Sequence, residues 1–243
     1  MNAPIAGLVV ALPQESRSLT GSALKHGECL ALDERTLVHV CGVGTANVAW
    51  AVRTLIDRGA QGVVSWGCTA GLSTALAPGD LCLPRAILDA DGANYEVSPC
   101  WHRRAASALG TSFALHTGPI LTVRRIVANP AEKSVLAARF GAVAADMESA
   151  GIAAAALEHS VPFLAVRAVV DPAGLAVPLG VSRALDARGV VDLSQLLAWV
   201  LRHPGEWPGL IALRRHFRAA LRTLRAASHR LGSGCLVEPL GGA

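Results

Sequence analysis

Short apolar runs separated by glycine, proline or polar residues recur along most of the chain. The clearest are residues 5–12, 37–41, 62–66, 80–84 and 163–170, and none of them alternates strictly between apolar and polar positions. Runs of this length and pattern are typical of strands that are buried on both faces of a sheet. They predict the strands of a central sheet.

Two segments between these runs, residues 45–59 and 147–160, have helical periodicity. Strands that alternate with helices indicate right-handed crossovers and a parallel sheet covered by helices. We therefore predict a single α/β domain over residues 1–200, with a twisted, mixed, mostly parallel central sheet flanked by helices. Residues 201–243 are predicted to form a C-terminal helical extension.

The extension combines an apolar stripe with an arginine face. Residues 201–231 contain seven arginines and one acid, Glu206. At about 100° per residue, the apolar side chains fall on one side of a helix and the arginines on the other. The stripe consists of Leu213, Phe217, Leu221, Leu224 and Leu231, and the opposite face carries Arg214, Arg218, Arg222 and Arg225.

Two interpretations of this helix remain open. A basic amphipathic helix is typical of binding to a membrane surface, but a helix that packs its apolar stripe on the protein's own core has the same pattern. Nucleic acid is disfavoured as a partner because the excess positive charge is confined to one helix with few aromatic residues.

Composition excludes several classes of protein. Hydrophobic residues make up 52% of the chain and charged residues 16%, which excludes a disordered chain. The six cysteines include no C-x-x-C pair and the eight histidines no H-E-x-x-H pair, so we expect neither a disulfide framework nor a metal site. No apolar run reaches the roughly 18 residues of a membrane span. We predict a cytoplasmic location.

Candidate chemistry lies where the predicted strands end, which is where ligand sites of α/β sheets gather. The segments at these positions are ALPQES (11–16), CGVGTAN (41–47), WGCTAGL (66–72), ADMES (145–149) and VVDPA (169–173). Their acids also have local interpretations. Asp171 precedes Pro172 as turn caps do, Glu148 and Asp146 suit the start of a helix, and Glu15 suits an exposed first helical turn.

These segments, in this order over residues 5–173, resemble the nucleoside phosphorylase/nucleosidase family, particularly its methylthioadenosine and adenosylhomocysteine nucleosidase branch. The pair DMES (146–149) and VRAVVD (166–171) is the most specific part of the resemblance. It implies a nucleoside phosphorylase-like fold and an enzyme that breaks the N-glycosidic bond of a purine nucleoside. It also implies a homo-oligomer without a cofactor.

The resemblance implies a role for each site residue. Asp171 would protonate the leaving purine, and Glu15 would activate the attacking water. Glu148 would accept hydrogen bonds from the ribose hydroxyls, and Met147 would pack against the sugar. Cys68 would contact the substrate from a position where relatives carry serine.

Besides Cys68, two positions and one segment depart from the family pattern. Ser65 stands where phosphorylase relatives place an arginine, which favours water over phosphate as the acceptor. Phosphate stays an alternative co-substrate, with Arg17 or Arg85 as its partner. The segment 121–133, which stacks on the purine in relatives, offers Ile126 and no aromatic residue. Val170 replaces a serine, so the purine specificity is left open.

The body and the basic extension together resemble the hopanoid-biosynthesis-associated phosphorylase subgroup. That resemblance implies adenosylhopane as substrate, release of adenine, and peripheral contact with the inner membrane surface through the extension. A soluble methylthioadenosine/adenosylhomocysteine nucleosidase is the alternative enzyme. A non-catalytic nucleoside-binding protein or membrane-associated scaffold is the alternative from another class.

Overall fold

A computed structural model describes residues 5–44, 47–184, 198–199 and 201–235. Strands and helices alternate along most of this part of the chain, and the last helix is by far the longest. In chain order they are β1 (Ile5–Val10), α1 (Pro13–Thr20), β2 (Cys29–Asp33), β3 (Thr36–Val40), α2 (Val48–Asp57), β4 (Ala60–Gly71), β5 (Leu81–Cys82), β6 (Ala86–Asp89), β7 (Asn94–Glu96), α3 (Pro99–Leu109), β8 (Leu115–His116), β9 (Ile120–Thr122), α4 (Pro130–Phe140), β10 (Ala144–Asp146), α5 (Ser149–Glu158), β11 (Phe163–Asp171), α6 (Leu179–Ala184) and α7 (Trp207–Cys235).

The strands form one mixed sheet in which β4 is the central element. β4 pairs in parallel with β1 on one side and with β11 on the other, and its far end pairs antiparallel with β10. The main order is β2-β3-β1-β4-β10-β9-β6-β7. A branch starts at β4, where β11 pairs with β5 and β5 pairs with β8. The predicted mixed, mostly parallel α/β sheet is confirmed.

Helices cover both faces of the sheet. Apolar side chains of α2 and α5 pack on one face together with Val9, Val63 and Ala165. Residues of α3 and α7 pack on the other face, against Val64, Val166 and their neighbours. Successive residues of β4 and β11 therefore enter opposite cores, because side chains alternate along a strand. This explains why their sequences are apolar without alternation.

The predicted elements lie where the sequence placed them, with shifted ends. The run 62–66 is part of β4, which extends over twelve residues, and the run 80–84 keeps only two strand residues, β5. The predicted helices correspond to α2 and α5, which begin at Val48 and Ser149. Thr45 and Ala46, at the predicted start of the first helix, lie outside the described residues.

The apolar stripe of α7 packs on the core of the protein. Leu224, Ala227 and Leu231 are buried there, and Leu213, Phe217 and Leu221 pack against the same cluster. The interpretation in which this stripe faces lipid is therefore wrong, and the alternative interpretation is confirmed. The arginines of the opposite face are exposed. α7 is thus an integral layer of the fold, although the sequence pattern indicated a C-terminal extension.

Two side-chain hydrogen bonds fix α7 in place. The Thr223 hydroxyl donates to the Gly79 carbonyl at 2.7 Å, and the Ser228 hydroxyl donates to the Ser18 carbonyl at 3.2 Å. These bonds join the helix to the turn before β5 and to α1. Within the described ranges, no helix is both long enough and apolar enough to cross a membrane.

We predict that Leu224→Ala lowers the free energy of unfolding by about 2–5 kcal/mol. Leu224 is a fully buried residue of α7, and its truncation leaves a cavity between the helix and the core. Arg222→Ala, two residues away on the exposed face, is the matched control and should change that free energy by no more than about 0.5 kcal/mol. Urea denaturation of both variants measures the difference. Equal stability of the two would contradict the packing of α7 on the core.

Candidate active site

A cleft of about 210 Å³ opens at the strand ends in the middle of the sheet. Each of the five segments predicted from the strand ends contributes to its wall. They supply, in chain order, Leu12, Val43, Cys68, Met147 and Asp171. The topology accounts for this meeting, because β1, β4, β10 and β11 are neighbours in the sheet. The wall is mostly apolar and carries a few acidic side chains.

Glu15 lies in the first turn of α1 and its side chain is buried, with 2% exposed. Its carboxylate accepts the backbone N–H of Leu12 at 3.0 Å and that of Cys68 at 2.7 Å. Burial raises the pKa of this carboxyl, and the Arg167 guanidinium opposes that shift. The interpretation of Glu15 as an exposed helix-start residue is therefore wrong.

Gly67 permits the close approach of Glu15 to β4. A Cβ atom at position 67 would lie 2.8 Å from both carboxylate oxygens of Glu15 and 2.8 Å from Nη1 of Arg167. Any larger residue would push these two side chains away from the strand. The glycine is therefore required by packing at the acid.

Glu148 stands at the N-terminus of α5 and is buried. Its Oε1 accepts the backbone N–H of Gly44 at 3.0 Å, which joins the segment after β3 to the segment after β10. Burial raises the pKa of the Glu148 carboxyl to about 7, against the lowering effect of Arg167. Met147 lies beside it in the cleft wall.

Asp146 has the structural role that the sequence analysis considered for it. Its Oδ1 accepts the hydroxyl of Thr122 at 2.8 Å and the backbone N–H of Ser149 at 3.2 Å, and its Oδ2 accepts the Ser149 hydroxyl. Asp146 thereby satisfies a free N–H at the start of α5. These internal contacts leave Glu148, and not Asp146, as the acid available to a ligand.

Arg167 in β11 is the centre of the polar network, and its side chain is 1% exposed. Its Nε lies 3.1 Å from Oδ2 of Asp146, and its Nη2 lies 3.8 Å from Oε2 of Glu148. Nη2 also donates to the hydroxyls of Ser65 at 2.6 Å and Ser149 at 3.1 Å. The guanidinium therefore balances the buried carboxylates, and its donors are directed at protein atoms.

Asp171 is the last residue of β11 and also lines the cleft. Its Oδ2 lies 2.8 Å from Nζ of Lys133, a side chain of α4 with no exposed surface. Burial raises the pKa of the Asp171 carboxyl, while the Lys133 ammonium lowers it. Asp171 is thus part of a buried ion pair, and an Asx-turn cap does not describe it.

Apolar side chains make up most of the rest of the wall, which also includes Thr69 and Arg125. Ile126 and Val127, from the segment before α4, face the cleft together with Val170. Leu213 and Phe217 of α7 complete it, so the supposed extension contributes to the site. Neither Arg17 nor Arg85 is among the residues that line the cleft.

Burial raises the pKa of the Cys68 thiol well above the usual range, and the negative charges of Glu15 and Asp171 raise it further. A thiol of this kind is a poor nucleophile, which leaves contact with a ligand as the role expected of Cys68. No group of three or more histidine, cysteine or acidic side chains suited to a metal ion occurs in the described ranges.

Sequence reasoning missed Arg167 and Lys133 as members of the site. A signal for Arg167 was present, since a single arginine interrupts an apolar run predicted to be buried on both faces. A buried charge requires a partner of opposite sign, and the acids of DMES were the available partners. Lys133 offered no such signal, because its burial depends on how α4 lies against β11.

The family model of the Phosphorylase superfamily matches residues 26–188, which is more than half of the chain. The chain belongs to this superfamily. The matched region contains Glu148, Arg167 and Asp171 but not Glu15. Membership of the phosphorylase superfamily confirms the predicted family and the expectation of an enzyme that cleaves a glycosidic bond.

Solved structures with the same fold include nucleosidases. A 5′-methylthioadenosine/S-adenosylhomocysteine nucleosidase from Neisseria meningitidis, in complex with methylthio-immucillin-A, is 19% identical, with a TM-score of 0.71 over 94% of this chain and 98% of that one. The Colwellia psychrerythraea 34H nucleosidase, in complex with adenine, is 20% identical, with a TM-score of 0.68 over 96% and 95%. Futalosine hydrolase of Helicobacter pylori is 17% identical, with a TM-score of 0.66 over 93% and 97%. No curated protein matches the chain.

We predict that the Glu148→Gln variant becomes more stable relative to the native protein as pH rises from 5 to 8. The folded-state pKa of Glu148 is raised from about 4.5 to about 7, so the native protein loses stability as pH rises through that interval. Glutamine keeps an acceptor for Gly44 and does not ionise. The difference in free energy of unfolding should grow by about 1–3 kcal/mol between the two pH values.

Urea denaturation of both proteins at pH 5 and pH 8 measures this effect. Contributions of Glu15 and Asp171 are present in both proteins and largely cancel. If the two proteins differ in free energy of unfolding by the same amount at pH 5 and at pH 8, the buried Glu148 carboxyl does not titrate near neutral pH.

Proposed function

We propose that the enzyme hydrolyses the N-glycosidic bond of an adenine nucleoside and releases adenine. The observation that carries this proposal is the convergence of three buried acids, Glu15, Glu148 and Asp171, on one cleft. Burial raises the pKa of each carboxyl. A raised pKa brings a carboxyl closer to the neutral range, which suits general acid–base catalysis.

Asp171 is proposed as the general acid. Departure of a purine from ribose leaves negative charge on the base, and protonation of the base removes it. Asp171 stands at the end of the cleft that is walled by Ile126, Val127 and Val170. These apolar side chains suit the faces of a flat ring, and the carboxyl beside them suits its polar edge.

Glu148 is proposed to bind the ribose and Glu15 to activate water. The Glu148 carboxylate accepts one backbone N–H, which leaves acceptor capacity for the ribose hydroxyls. Glu15 accepts two backbone N–H groups, which fix its orientation and leave lone pairs for a water molecule. Met147 between them would pack on the sugar.

Water is the proposed acceptor because the buried cations already bind protein groups. Phosphate requires cationic donors directed at it. Arg167 directs its donors at Ser65, Ser149 and the acids, and Lys133 is fully buried against Asp171. Ser65 itself, which replaces the arginine of phosphorylase relatives, is buried and bonded to Arg167. Arg125 does line the cleft, but its Nη2 pairs with Oε1 of Glu132 at 2.6 Å, and the acids of the cleft repel a phosphate dianion. The enzyme therefore needs neither phosphate nor another cofactor.

Adenosylhopane is the proposed nucleoside, on the strength of the resemblance to the hopanoid-associated subgroup. The apolar wall of Leu213 and Phe217 would receive the group on the 5′ carbon of the ribose. Trp207 and Ile211, one turn apart at the start of α7, are exposed. Together with the arginine face, they offer a site for peripheral contact with the inner membrane surface, in place of the buried stripe.

Methylthioadenosine or adenosylhomocysteine is the second candidate substrate. It is favoured by the nucleosidases that share this fold, which were solved with methylthio-immucillin-A or adenine. A non-catalytic nucleoside-binding protein or scaffold is less well supported. Burial of three acids in one cleft is costly, and binding alone does not require all of them. The homo-oligomer expected from the family likewise stays a proposal.

We predict that Asp171→Asn lowers turnover by roughly 10²-fold or more, because the leaving purine loses its proton donor. Asp57→Asn, at an exposed acid of α2, is the matched control and should leave turnover unchanged. Release of adenine measures the rates, and circular dichroism checks the fold. Near-native turnover in a folded Asp171→Asn protein would remove Asp171 from the mechanism.

A substrate panel tests the 5′ group. We predict adenine release from adenosylhopane in vesicles, and a roughly 10-fold or greater loss of kcat/KM for that substrate in Phe217→Ala. Plain adenosine should lose little in the same variant, because it lacks the apolar group. Leu221→Ala, on the same stripe but outside the cleft wall, is the control. Exclusive turnover of methylthioadenosine or adenosylhomocysteine would select the second candidate.

A further inference from the structure

Lys133 is one of only two lysines in the chain, and it is the one inside the protein. Lys25 is exposed, whereas the Lys133 side chain has no exposed surface. A buried ammonium is costly unless every hydrogen has an acceptor. The local sequence does not require a lysine there, since Lys133 is simply a residue of the first turn of α4. Its burial therefore calls for an explanation by function.

The surroundings of Nζ match an ammonium group. Nζ lies 2.8 Å from Oδ2 of Asp171, 3.0 Å from the Pro172 carbonyl oxygen and 3.1 Å from the Leu175 carbonyl oxygen. An ammonium has three hydrogens, which these three acceptors match, and the Asp171 carbonyl oxygen is a fourth, longer contact at 3.5 Å. One side chain thus holds both the carboxyl of Asp171 and the turn that follows it.

Lys133 also joins the two walls of the cleft around the Asp171 carboxyl. The segment that supplies Ile126 and Val127 leads directly into α4, whose first turn carries Lys133. The turn held by Lys133 continues to Val177, whose N–H donates to the Ala128 carbonyl at 2.9 Å. The apolar wall and the carboxyl are therefore tied together at two points.

We propose that Lys133 is a positioning residue that holds the Asp171 carboxyl against the apolar wall in the orientation in which it meets the leaving base. This inference rests on the proposed function for the role of Asp171, but the ion pair itself does not. As a cation, Lys133 also favours the ionised carboxylate and so lowers the pH at which Asp171 loses its proton. Lys133 thus fixes the geometry of the Asp171 carboxyl and at the same time lowers its proton affinity.

Lys133 is the ionisable neighbour that shifts the pKa of the Asp171 carboxyl, which it lowers. The Cys68 thiol in β4 interacts electrostatically with Asp171, with Glu15 in α1 and with Arg167 in β11. None of these contacts Asp171 at ion-pair distance, whereas Lys133 does. A change at Lys133 should therefore have a larger effect on Asp171 than a change at the other groups.

The first measurement needs no substrate. Protein made with lysine labelled at Cε and Nζ should give two side-chain signals, and Lys25 serves as the internal control. The Lys133 signal should show a pH step that reports the titration of Asp171 and should lose that step in Asp171→Asn. A Lys133 signal that is unchanged by Asp171→Asn would overturn the proposal. If the step is present but Asp171→Asn stays fully active, the ion pair stands and the proposed function fails.

The second measurement separates positioning from a purely structural role. Lys133→Gln keeps donors for the two carbonyls without the charge, and Lys133→Met removes both. We expect roughly 10- to 100-fold lower kcat in each, with little change in KM, because the acid is misplaced while the substrate still binds. We also expect the alkaline limb of the rate profile to move to higher pH.

Lys25→Met is the matched control and should leave kcat and the pH profile unchanged. Should Lys133→Met fail to fold, Lys133→Gln with a checked melting temperature carries the test. A folded Lys133→Gln protein with native kcat and an unshifted alkaline limb would show that Lys133 has no part in positioning Asp171.

Discussion

The buried guanidinium of Arg167 is the interaction on which the site depends. It lies inside the sheet, 3.1 Å from Asp146 and 3.8 Å from Glu148, and it opposes the effect of burial on the pKa of Glu15. Without it, the acids that enter the cleft from α1, β10 and α5 would be unpaired charges in an apolar interior. Its place in β11, opposite Gly67 of β4, puts the positive charge between the two longest strands.

The fold uses two buried cations for two different tasks. Arg167 supports the acids at the ribose and water end of the proposed site, and Lys133 supports Asp171 at the purine end. Both are enclosed by protein atoms, so neither is presented to an incoming anion. Under the proposed function, a cleft of this kind would let its acids exchange protons and bind hydroxyls, and it would disfavour an anionic co-substrate. The arrangement of charge is the reason for proposing water as the acceptor.

The sequence predicts the sheet well, because apolar runs and glycine turns are local signals. The strand-end rule also places Cys68, Glu148 and Asp171 at one edge of the sheet. It does not predict that Glu15 is buried, since that depends on how α1 tilts against β4. Lys133 is hidden from sequence reasoning for the same reason. The environment of α7 is ambiguous in principle, because an amphipathic helix has one pattern whether its apolar side meets lipid or a protein core.

Glycosidic-bond hydrolysis by the three acids is tested most directly by the identity of the sugar product. An adenine nucleoside, either adenosylhopane or methylthioadenosine, is incubated with the enzyme in ¹⁸O-labelled water that contains inorganic phosphate. The account predicts free adenine and a sugar that carries one ¹⁸O atom at its anomeric carbon, with formation of both lost in Glu15→Gln. A sugar 1-phosphate without ¹⁸O, or no adenine from either nucleoside, would contradict it.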